Sequence, residues 1–205
     1  EFNELAAAGC IPYLRALRER GIAGRIRVPA PHNRSAVWTS LLTGVRAHRH
    51  GVLHDRQPRD DRLGVVPIAS TRCQAPRVGE LLCRAGLHVH QIGCPASHPA
   101  AALNGIVVSD RFALEAPADA AKAASGRPWV HPPDAAREIF LRRIGPAQID
   151  EVAAGGLVPR EVRTLPDGEL LHQACRVFLA ETETLFRAAD LSLNVRPWDV
   201  TLVAL

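Results

Sequence analysis

The chain reads as an α/β protein: a parallel-type sheet with helices on both faces. Three observations predict this. PRVGELLCRAG, residues 76–86, is a helix opened by proline and closed by glycine. It runs within one residue into LHVHQIG, which alternates at strand spacing. Near the end, the apolar-periodic stretch 170–190 is followed by DVTLVAL, a near-continuous apolar run of the kind a buried parallel strand shows. A helix joined by a short link to a strand is the repeating unit of α/β sheets. With 205 residues, the chain is long enough for one sizeable core.

Taken in order, residues 2–20 predict a helix in which Leu5, Ile11, Leu14 and Leu17 share a face. Pro12 marks where its main part starts, and Gly21 ends it. GRIRV, 24–28, alternates as a short strand. Residues 57–70 read as a loop with little regular structure. CPASHPA, 94–100, follows the carboxyl end of the LHVHQIG strand, the side on which open α/β sheets bind ligands. Ser97 and His98 there are either site-lining residues or parts of a rigid proline-bounded turn. GIVVSDRF predicts a short peripheral strand. A loop-rich insertion is expected around 113–168, with an Ala-, Gly- and Pro-rich mobile part at 115–128 and one helix, DAAREIFLRRIG. Residues 170–190 form the longest helix, with Leu171, Ala174, Phe178, Leu185 and Phe186 as its buried stripe. DVTLVAL closes the sequence as a central strand.

Composition narrows the function classes. Apolar residues make up 47% and charged residues 22%, a globular balance. No apolar run is long enough for a membrane span, and no signal-peptide pattern appears. The net charge of +4 is carried by scattered arginines, with Lys122 the single lysine. No basic stripe with interleaved aromatics supports nucleic-acid binding. Five cysteines at 10, 73, 83, 94 and 175, with no C-x-x-C, fit free thiols of a cytoplasmic protein better than a zinc site or a disulfide framework. Without any methionine, the sequence is expected to lack its true start.

The densest chemistry lies in PAPHNRSAVWTSLLTGVRAHRHG, 29–51. Pro29 and Pro31 set an extended approach. Ser35 is read as the N-cap of a helix over 35–42, with Gly44 as its left-handed stop. A hydroxyl at a helix start faces free N–H groups and the positive end of the dipole, which favour a bound phosphate. Plain capping is the alternative. His48, His50 and His54 have spacings that permit metal chelation but read as turn residues.

This stretch resembles the nucleophile region of the alkaline phosphatase superfamily, in particular its type I phosphodiesterase and nucleotide pyrophosphatase group. The matching features are Pro31, Ser35, AVWTS, Thr43-Gly44 and His50-Gly51. VGELLCRAGLHVHQIGCPASHPAAALNGIVVSDRF and PWDVTLVAL are similar to later parts of that family, in the same order. The resemblance implies an alkaline phosphatase-like core, of which residues 1–205 are the N-terminal part. It implies a hydrolase of phosphate esters acting through a serine or threonine nucleophile, with two divalent metal ions, zinc in that family. Its substrate would be a phosphate ester or nucleotide-like small molecule. Aligned on Trp38, the family's hydroxyl falls at Arg34. The nucleophile is therefore expected one residue later, at Ser35, which would also touch a metal, with Thr39 as the alternative. Asn33, Arg34 and Asp55 are expected at the substrate; Asp55 stands where that family has an asparagine against the phosphoryl oxygens. The remaining metal ligands are expected outside this sequence. The arginine and the aspartate also leave open a non-catalytic relative with a binding role.

Overall fold

A computed structural model describes residues 2–28, 32–59, 63–116, 128–158 and 160–205. The chain divides into two units, 1–32 and 33–205. The first contains helices α1 (Phe2–Ala7) and α2 (Pro12–Arg20). One continuous helix was expected; Gly9, at φ 72°, and Pro12 interrupt it. Arg18 ties the pair by donating to Asn3 Oδ1 at 2.7 Å and lying over the Phe2 ring. Residues 22–28 form no strand, contrary to the alternation of GRIRV.

The second unit holds a mixed sheet flanked by helices. Its strands are β3 (Val89–Ile92), β4 (Val107–Val108), β5 (Val130–His131) and β6 (Val200–Val203), in the order β5-β4-β3-β6. The pairs β3–β4 and β3–β6 are parallel, and β4–β5 is antiparallel. Three expectations are corrected here. The strand from GIVVSDRF is internal, with Val107 and Val108 fully buried, whereas the apolar DVTLVAL strand lies at the sheet edge. The polar stretch after residue 55 also carries structure: β1 (Arg56–Pro58) and β2 (Val65–Pro67) form an antiparallel pair.

Alternation along β3 builds both faces. Val89, with Val107, packs against Leu82 and Cys83 of helix α5 (Val78–Arg84) and against Ala100 and Leu103. Ile92, with Val108 and Val130, packs against Ile139 of the helix Pro133–Leu141 and against Leu185, Ala188, Ala189 and Leu191 of the long helix Gly168–Val195. Each fully buried Ile, Val or Leu contributes about 1.5–3 kcal/mol of transfer free energy, so these two layers dominate the fold's stabilisation. Gly93 ends β3 at φ 66°, and a Cβ there would stand 2.4 Å from Ala204 O and 2.9 Å from Leu185. Only glycine lets the strand turn away this close to both neighbours.

The long helix buries a different face from the one expected. Leu185 is 1% exposed, but Leu171, Phe178 and Phe186 are 48–61% exposed. Between 145 and 168, helices Glu151–Leu157 and Arg160–Arg163 occupy much of the stretch expected to be loop. The expected mobile stretch at 115–128 lies largely outside the described residues. Among those described, no helix is long and apolar enough to cross a membrane.

Candidate functional site

Helix α3 (Arg34–Thr43) presents the hydroxyls singled out by the sequence. Its N-cap is Asn33, whose side-chain oxygen accepts from Ala36 N at 3.1 Å. Ser35 therefore does not cap: it lies inside the first turn. Asn33 sits in the extended conformation a cap needs, two residues earlier, and takes the free N–H first. Gly44 closes the helix at φ 70°, its N–H bonded to Ser40 O, as expected.

Ser35, Thr39 and Leu42 follow one another at helical spacing and are buried with Ala36. Ser35 is 6% exposed and Thr39 0%; the Thr39 hydroxyl has no hydrogen-bond partner among the described residues. Trp38 and Leu42, on one flank of this face, pack with Cys94, Ala204, Leu202 and Val78. Ala204 directly follows the carboxyl end of β6, and Cys94 lies two residues beyond that of β3. The helix thus stands at the sheet end where α/β proteins gather ligands.

Loop 94–98 reaches the same end. Asp110 organises it: its carboxylate accepts from Ala96 N at 2.8 Å, Ser97 N at 3.2 Å and His98 N at 3.0 Å, and from the Ser97 hydroxyl. Ser97 Oγ accepts from Asp110 N in return, at 2.9 Å. Burial raises the Asp110 pKa and these hydrogen bonds oppose the rise. On the long helix, burial raises the Glu181 carboxyl, the Arg34 charge opposes that rise and the Asp110 charge adds to it. His98 is directed elsewhere, stacked on Trp129 with ring centroids 4.2 Å apart.

Asn33 Nδ2 donates to Asp55 Oδ1 at 3.4 Å, so two expected substrate contacts meet each other. Asp55 also pairs with His54. Of the three clustered histidines, His48 and His54 are exposed and His50 is buried. Val52 N donates to His50 Nδ1 at 3.1 Å, which places the proton on Nε2, 2.9 Å from Ser40 Oγ; that hydroxyl donates to Ala36 O. Burial is the largest cause lowering the His50 pKa, so the ring is a neutral brace between α3 and the short helix α4 (Ala47–His50) that carries it. Burial pushes the Cys94 thiol up to about 12, which removes it as a thiolate nucleophile.

Among the described residues, no three or more His, Cys, Asp or Glu side chains are grouped to hold a metal ion. Asp110, the carboxylate nearest loop 94–98, is committed to backbone N–H groups. The donor set gathered here is not that of a two-metal centre. Arg77 was not anticipated. Its sequence context, just before an amphipathic helix, is that of a surface residue, yet it is 5% exposed. A cleft of about 470 Å³ between α1 and α2, lined by Phe2, Ala6, Ala7, Arg15, Arg18 and Glu19, contains none of the expected site residues. No family model, curated protein or solved structure matches the chain.

Proposed function

We propose that this chain carries the nucleophile segment of a phosphate-ester hydrolase that acts, in the full-length protein, through the hydroxyl of Ser35 on substrates of the diester or nucleotide type. One observation carries the reading. The hydroxyl-bearing face of α3 is turned inward, and its flank packs with Cys94 and Ala204 just beyond the carboxyl ends of β3 and β6. In the proposed reaction Ser35 Oγ bonds to phosphorus as the ester P–O bond breaks. The serine proton leaves on the alcohol product. Water then attacks the phospho-serine, and its proton restores the hydroxyl. The Arg34 guanidinium offers a fork of donors to the phosphoryl oxygens, and the start of α3 adds its dipole. The resemblance adds two divalent ions, zinc in that family. The described residues group no ligand set for them, and the steps above use only this chain's own groups.

The test is turnover of a chromogenic phosphodiester by the full-length protein with divalent zinc supplied. Ser35→Ala is expected to remove nearly all turnover, while Thr39→Val leaves a large part of it. The reverse pattern would assign the nucleophile to Thr39. A specific observation favours a non-catalytic binding role instead: the Asp55 carboxylate, beside Asn33 at the start of α3, repels a phosphate. Absence of turnover in the wild type with zinc present would establish that second reading.

A further inference from the structure

β6 uses only one of its two edges. Val200 N donates to His88 O at 3.2 Å and Ala204 N to Ile92 O at 3.0 Å, so residues 200, 202 and 204 turn their backbone groups toward β3. A parallel ladder draws on alternate residues of a strand. The N–H and C=O of Thr201 and Val203 therefore point the other way, and among the described residues no strand pairs with them. Val203 is 40% exposed, and Leu205, just beyond the strand, 55%.

Natural sheets blunt such an edge with a short strand, a proline or a charge. The opposite edge of this sheet does so: β5 spans two residues and is followed by Pro132 and Pro133. Residues 200–205, VTLVAL, contain neither a charge nor a proline. This edge is also complementary to itself. When β6 runs antiparallel to a second β6 with Leu202 on the two-fold axis, Thr201 stands opposite Val203 of the second copy, and Val203 opposite its Thr201. Each pair exchanges both N–H···O bonds, so all four outward groups of each copy are satisfied. Both pairs are β-branched, a type that packs well across strands. The nearest charge, Asp199, falls at opposite ends of the joined strands, roughly 20 Å from its symmetry mate at the rise of a strand, so no like charges face each other. Such a contact closes at two copies.

We infer that the open edge of β6 is an interface between two copies of this chain, which join their sheets into one by antiparallel β6–β6 pairing. Leu202 and Ala204 pack with Trp38 and Leu42, so the interface lies beside the helix that carries Ser35. The inference is independent of the phosphate-ester reading.

Sedimentation velocity of the full chain over a concentration series, with amide hydrogen exchange on the same samples, tests it. Wild type is expected to form a dimer that dissociates on dilution. The Thr201 and Val203 amides should be protected in the dimer and exchange faster in the monomer. Val203→Pro removes an outward N–H without touching the β3 ladder, and Val203→Lys places a charge on the edge. Each should weaken self-association by about tenfold or more, because the two-fold loses two equivalent contacts at once, while far-UV circular dichroism stays that of wild type. The interface is overturned if wild type is monomeric at every concentration, if it grows into open polymers, or if both folded variants dimerise as wild type does. Protection of the two amides that persists in the monomer also overturns it, because another segment of the same protein then covers the edge. Should the variants lose their circular dichroism, the wild-type dilution series decides alone: protection lost together with the dimer supports the interface, and protection unlinked to it overturns it.

Discussion

Asn33 performs two tasks with one amide: its oxygen caps α3 and its nitrogen holds Asp55. Losing a side-chain cap costs about 1 kcal/mol. Asn33→Ala is therefore expected to lower unfolding stability by about that amount in urea denaturation, with Ser35→Ala costing clearly less. A larger loss in Ser35→Ala would return the cap to the serine. Asparagine and serine are both good capping types and stand two residues apart, so sequence alone leaves the choice open. The difference matters for function. A serine that caps spends its oxygen on an N–H, whereas one inside the first turn keeps it for chemistry. Arg77 was hidden for another reason: nothing in APRVGELL tells whether an arginine at a helix start points to solvent or turns inward to a loop carbonyl, as Arg77 does to Ala96 O.

The long helix Gly168–Val195 shows how far periodicity carries at the level of an element. Its existence and length follow from the apolar spacing, but the spacing fits two adjacent stripes. The sheet covers the one containing Leu185, Ala188 and Ala189, and leaves Phe178 and Phe186 exposed. The strands divide in the same way. β3 is legible because alternation and a glycine stop bracket it. β4 spans only two residues and was placed at the periphery, although it pairs on both sides. β6 has the composition of a central strand and stands at the edge, because composition records burial of faces and not which edges are paired. Leu185→Ala should cost about 2–5 kcal/mol, since it opens a cavity against Ile92 and Gly93. Phe178→Ser and Phe186→Ser should each stay within about 0.5 kcal/mol. Chemical denaturation of the three variants checks this, and a large cost at either phenylalanine would mean that its face is covered in solution.

Across the whole molecule, burial sets three histidines against acid. His50 lies beside α3, His90 in β3 and His131 in β5, and burial is the largest cause lowering each from 6.5. A group whose folded pKa is depressed takes up protons first in the unfolded state. Its contribution is complete above 6.5 and is lost as pH falls through 6.5 toward the lower folded value. Asp110 and Glu181, raised by burial, have the opposite sign, with effects that begin from the ordinary carboxylate range upward. His90 isolates the histidine part best. Its ring is fully buried and, among the described residues, neither nitrogen has a partner and the Thr201 hydroxyl at the paired position on β6 is unpartnered too. The charges of Arg196 and His88 add to the cost of protonating it. Replacing an unsatisfied buried polar group with an apolar one of similar size is close to neutral or stabilising. His90→Leu is therefore expected to match or exceed wild-type stability at about pH 7.5 and to lose less on acidification to about pH 5.5, the range over which histidines titrate. Urea denaturation at the two pH values measures the difference of differences, in which the unchanged carboxyls cancel. An equal or greater acid loss in His90→Leu would show that the ring is already partnered in solution and plays no part in the acid sensitivity.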